Sequence, residues 1–173
     1  MKALLAACVV LVLAGCSSGG AAPRTPTSQP DVGTATTDAN GDLTHDEFLR
    51  QLSAWCTARN EDLARRFTSD YEQAAAEGRY TQAAQILEAH QAVVQGWEVR
   101  IPIEPAQLAA QDEAEFRRYL VLTGRLDGLL VDYDFALRAQ AAERVRRVAG
   151  RVAKARDDWR QQATDMGLEE CGP

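Results

Sequence analysis

The chain has 173 residues and a formal charge of −6, with 25 acidic against 19 basic side chains. That length supports one domain with a substantial core, and the acidic balance argues against a general nucleic-acid binder, which needs a basic footprint. No H-E-x-x-H, glycine-rich phosphate loop or C-x-x-C occurs, so the sequence assigns no catalytic residue and no cofactor, and the chain reads as non-enzymatic.

Residues 1–15 follow the pattern of a signal peptide. Lys2 supplies a positive start, and residues 3–13 form an apolar run too short to span a bilayer. Leu13-Ala14-Gly15-Cys16 then resembles the lipobox of bacterial lipoproteins. The resemblance implies cleavage before Cys16 and a diacylglycerol on its thiol, with palmitate-type chains anchoring the protein at the extracytoplasmic face of the cell membrane. More than one acyl chain is needed for firm attachment. Residues 16–42 are rich in Ser, Thr, Gly, Ala and Pro and nearly devoid of large apolar side chains. Such a segment buries too little surface to offset its ordering entropy and reads as a flexible tether.

The domain is expected over 43–173. At its start, "DANGDLTHDEF" has two readings. Asp38, Asn40, Asp42 and Glu47 are candidate calcium ligands in an EF-hand-like frame with Gly41 at the sixth position, but Thr36 stands where the first carboxylate belongs. Alternatively, Thr44 and Glu47 form a capping box, Leu43 and Phe48 a hydrophobic staple, and Asn40-Gly41 a turn. The second reading accounts for more residues.

Helical periodicity dominates the remainder. Leu49, Leu52, Cys56, Leu63, Phe67 and Tyr71 make one stripe, predicting a first helix that ends near Glu77 with Gly78 as its stop. A second helix is predicted over 80–97, with His90 on its stripe as a core or boundary residue. The "RIPIEP" segment breaks it, and Pro105 suits the first turn of a third helix. A fourth helix is predicted over 142–166, after a turn at 139–142, with Val145, Val148, Val152, Ala155 and Trp159 as its seam. A faint repeat supports that turn: Tyr71 and Trp97 stand 26 positions apart, as do Tyr133 and Trp159, and Gly78 falls opposite Gln140. The predicted fold class is all-α, an antiparallel up-down four-helix bundle of two hairpins.

Of the four cysteines, Cys8 falls in the signal and Cys16 in the lipobox. Cys56 and Cys171 are left as a pair in an oxidising compartment, which favours a disulfide over two buried thiols. Up-down topology brings the same two residues to one end of the bundle. Arg144, Arg147, Arg151 and Lys154 flank the fourth-helix seam. They are a candidate anion site for phospholipid headgroups or an acidic polymer, or a solvated face paired with neighbouring acids.

The lipobox, the low-complexity tether, Cys56 in "AWCTARN", the mid-chain proline break and the ending "MGLEECGP" together resemble the small helical, disulfide-linked lipoproteins common in actinobacteria. That resemblance implies a membrane address through lipid on Cys16 and a helical fold, and it supplies no reaction. The partner expected on this reading is another envelope protein or polymer. The alternative is a lipid or small molecule carried between the hairpins.

Overall fold

The computed structural model describes residues 35–171. The expected signal peptide, the candidate lipidation site Cys16 and the expected tether up to residue 34 lie outside the described residues. Five α-helices follow in order: α1 His45–Arg66, α2 Tyr71–Ala76, α3 Tyr80–Glu98, α4 Ala110–Arg138 and α5 Ala142–Asp165, with short 3-10 turns at Pro105–Gln107 and Glu169–Cys171. Among the described residues no strand forms beyond isolated bridges, and no helix is long and apolar enough to cross a membrane.

Each helix from α2 onward packs on its neighbour in the chain, α2 on α3, α3 on α4 and α4 on α5, while α1 packs on α3 and on the C-terminal 3-10 turn. Two buried clusters result. One is aromatic and holds Phe48, Trp55, Trp97, Phe116, Tyr119 and Trp159 around Cys56 and Cys171. The other is built from small residues, among them Ala74, Ala83, Ala136 and Ala155 with Val145, Val148 and Val152, which let α2, α3, α4 and α5 approach closely. Leu126 packs against both. Cys56 and Cys171 form a disulfide with Cα atoms 4.9 Å apart.

The start of the domain settles as a cap. Thr44 Oγ1 accepts from the Glu47 amide at 3.4 Å, and Leu43 and Phe48 are both buried in the aromatic cluster. Half of the expected capping box is missing. The Thr44 amide donates to the Thr36 carbonyl at 3.1 Å, and the Glu47 side chain turns instead to Arg50 and Gln51. Ahead of the cap, Asp38 Oδ1 accepts from the amides of Asn40 and Asp42. Gly41 takes φ +89°, and Thr37 pairs with Leu43.

Two predicted helices have different starts or ends from those expected. The first does not run through to Glu77: it stops at Arg66, Phe67 is extended, and a new helix begins at Tyr71. Asp70 accepts from the Glu72 amide at 2.7 Å and caps the second piece, a bond worth about 1 kcal/mol at an N-cap. The third does not begin at Pro105. Leu108 is extended and buried, and the Leu43 amide donates to the Gln107 carbonyl at 2.7 Å. This pairing holds the chain out of helix until Ala110.

The repeat is visible in the backbone. At the first turn Glu77, Gly78 and Arg79 amides donate to the carbonyls of Gln73, Ala75 and Ala74; at the second, 62 positions on, Ala139, Gln140 and Ala141 donate to Phe135, Leu137 and Ala136. Both are Schellman-type closures. The left-handed residue is Gly78 at φ +77° in one and Gln140 at φ +52° in the other. A side chain in that region costs about 1 kcal/mol. Gln140→Gly is therefore expected to raise stability by about 0.5–1 kcal/mol and Gly78→Gln to lower it by a similar amount, read from urea midpoints. Shifts of the same sign in both variants would contradict this account.

Candidate functional site

The interruption at 67–70 has a structural consequence. It places Asp70, Tyr71 and Glu72 on the wall of a cavity of about 250 Å3, at the junction of the two cores. All five helices contribute. Leu63, Val94, Leu126 and Leu130 supply apolar wall, and Arg59, His90, Glu98, Asp127, Arg156 and Trp159 supply the polar and aromatic groups.

The two arginines are already engaged. Arg59 is buried, with its guanidinium 5.2 Å from the Trp55 ring centre and 5.5 Å from that of Trp159. It donates to Asn60 Oδ1 and to the Cys171 carbonyl. Stacking of a cation between two indoles keeps its charge in place at modest desolvation cost. Arg156 donates to Tyr71 Oη at 2.8 Å and pairs with Glu72 at 2.7 Å, tying α5 to α2. The Trp159 indole donates to Thr123 Oγ1 at 3.1 Å.

Glu98 and Asp127 face one another and share a hydrogen bond. Burial, the neighbouring Asp127 charge and that bond push the Glu98 carboxyl up to about 7. Burial also raises Asp127, against the Glu98 hydrogen bond and the positive field of Arg59. Two carboxyls so placed disfavour double ionisation, so the pair retains one proton to higher pH than a lone carboxyl does. Glu98 Oε1 is buried with no hydrogen-bond partner, and so is His90 Nδ1. His90 lies against Phe67 and Tyr71, with ring centres 5.3 and 5.9 Å away. Burial, followed by the fields of Arg156 and Arg59, lowers its pKa and keeps it neutral.

The residues singled out from sequence fall elsewhere. Arg147, Arg151 and Lys154 line a second, open groove of about 460 Å3 between α4 and α5, together with Arg125 and Asp132, over Gly128 and Gly150. Arg151 reaches Asp132 at 3.6 Å and Lys154 bonds Asp158 at 2.9 Å, as expected of a solvated paired face. Arg147 makes no ion pair among the described residues, and Arg144 lies outside the groove. Of the calcium candidates, Asp38 is occupied by backbone amides. Glu47 is held by Arg50 and Gln51, whose hydrogen bonds keep its carboxyl down at about 2. Among the described residues no group of three or more His, Cys, Asp or Glu side chains could hold a metal ion. His45, exposed in the first turn of α1, bonds Asp112 Oδ1 through Nδ1 at 2.8 Å and so links α1 to α4.

Sequence reasoning missed the Glu98–Asp127 pair, because its members sit on different helices beside their apolar stripes. The repeat offered a signal for other cavity residues. His90 stands opposite Val152, and Arg156 opposite Val94, so each copy carries a polar group where the other keeps a valine. Comparison of the chain with known protein families, curated proteins and solved structures finds no match.

Proposed function

We propose that this protein is a lipid-anchored component of the extracytoplasmic membrane face that binds a small molecule, without catalysis, in the cavity between its helical hairpins. The observation that carries this reading is the cavity itself: apolar walls enclosing a carboxyl pair with an unused buried oxygen. Pockets of this character are the default binding-site hypothesis. Its volume of about 250 Å3 equals roughly eight waters of liquid, which suits a compact molecule and is far too small for a diacyl lipid. The carrier reading therefore narrows from lipid to small molecule.

In this reading residues 1–15 are a removed signal, Cys16 is the anchor of a lipoprotein of the actinobacterial type, and residues 43–173 form an antiparallel up-down four-helix bundle. The broken first helix then plays the part that α4 plays in the second hairpin. The matching turns at Gly78 and Gln140 and the sequential packing of α2 to α5 support that arrangement. A fragment screen by 1H–15N NMR on the soluble domain is expected to show compounds that shift Thr123, Leu126 and the Trp159 indole together. A screen in which no fragment of any charge moves these signals would overturn the reading.

A second reading has the α4–α5 groove dock an anionic polymer or an acidic envelope protein, favoured by Arg147, which is exposed and makes no ion pair among the described residues. It predicts retention on a polyanion column that weakens with salt and is lost in Arg147→Glu. Equal retention of the variant counts against it.

A further inference from the structure

We infer that the cavity binds the ammonium group of a small organic amine between Glu98 and Asp127. The inference rests on the reading of the cavity as a small-molecule site. It follows from an inventory of the charges that face the pair from each helix. From α1 comes Arg59, and from the start of α2 come Asp70 and Glu72; α3 contributes His90 and Glu98, α4 contributes Asp127, and α5 contributes Arg156. Asp70 is exposed, where solvent screens its charge, and caps α2. Glu72 and Arg156 neutralise one another, and His90 is neutral. What remains is one cation, Arg59, facing two carboxyls. A second positive charge is required for balance, and in the empty cavity the proton provides it.

An ammonium group can take that place. It brings three N–H donors, and the site offers Glu98 Oε1, which nothing in the protein satisfies, beside the Asp127 carboxylate. The guanidiniums of Arg59 and Arg156 are already engaged with Cys171 and Tyr71, so an anionic ligand would compete with those bonds while facing two carboxyls. The walls of Leu63, Val94, Leu126 and Leu130 suit the hydrocarbon body of an amine and would leave a hydrated metal ion without further ligands. The exchange balances as a simple displacement: the ammonium binds, Glu98 loses its proton to solvent, and no covalent bond changes.

The test is titration calorimetry with three probes of one shape: 2-phenylethylammonium, 2-phenylethanol and phenylacetate. Each is run at pH 6 and pH 8.5 in buffers of different ionisation enthalpy. The ammonium is expected to bind at least tenfold more tightly than the other two. It should release close to one proton at pH 6 and almost none at pH 8.5, with affinity rising about tenfold between them. Glu98→Gln should abolish the proton release and cut affinity more than tenfold while circular dichroism and melting temperature are retained; Asp127→Asn provides a second variant with the same expectation. Ammonium binding without proton release at pH 6, unaltered affinity in both variants, or no ammonium binding would each overturn the inference. If phenylacetate or phenylethanol shifts the cavity signals and the ammonium does not, the amine assignment falls and the small-molecule site stands.

Discussion

Replacing Cys56 and Cys171 together by alanine is expected to lower the unfolding free energy by about 3–5 kcal/mol. The bridge spans a sequence separation of 115 residues, and closing so long a loop restricts the unfolded chain strongly. Both cysteines are fully buried, so the variant also loses packing at the centre of the aromatic cluster. Other ties at the same place are weaker. Asn60 Nδ2 donates to the Glu170 carbonyl at 2.7 Å, Arg59 donates to that of Cys171 at 3.3 Å, and Ser53 Oγ donates to Glu170 Oε2 at 3.1 Å. These bonds orient the terminal 3-10 turn but do not cross-link the unfolded chain. Urea unfolding of the oxidised protein and the double variant measures the difference. A loss below about 1 kcal/mol would show that the bridge adds little beyond what packing already secures.

Stability is expected to fall as pH rises from about 4.5 to about 7, and Glu98→Gln is expected to remove most of that slope. Burial and the Asp127 charge push the folded Glu98 carboxyl up to about 7, from an ordinary glutamate value of 4.5. Between those values the folded state holds a proton that the unfolded state has released. The favourable contribution is complete below the lower value and gone above the upper one. For a half-buried pair, screened in part by solvent, the change is about 1–2 kcal/mol. Asp62 acts in the opposite sense. Burial raises its pKa, but hydrogen bonds from Arg66 and Trp97 outweigh that and lower it, so its contribution is lost as pH falls through the acid range. The two windows are separate. Urea midpoints at half-unit steps from pH 5 to 7.5 check the claim, and parallel profiles for the wild type and Glu98→Gln would contradict it.

The helices and their cysteine link were legible because each follows from a local or countable property. Apolar spacing placed α3 and α5 to within a residue, and the pairing expected of Cys56 and Cys171 matched the observed bridge. The break at 67–70 was hidden by the stripe that runs through Phe67 and Tyr71 on either side of it, although Asp70 before Tyr71 is a recognisable N-cap signal. Pro105 misled in the other direction: it opens a single 3-10 turn, because burial of Leu108 and its pairing with Leu43 are long-range facts that no window of sequence contains. The cavity was least legible. Glu98 and Asp127 meet only once α3 and α4 are rotated and docked, and nothing in either helix alone distinguishes them from surface acids.

The placement of the three tryptophans gives this protein an intrinsic optical reporter. Trp159 lines the cavity, with its indole against the Arg59 cation and hydrogen-bonded to Thr123. Trp55 and Trp97 are buried and absent from the cavity lining. A molecule that enters the cavity changes the polarity and the local electric field at one indole of the three. Occupancy is therefore readable as a shift in emission wavelength, against a fixed background, in the unlabelled chain.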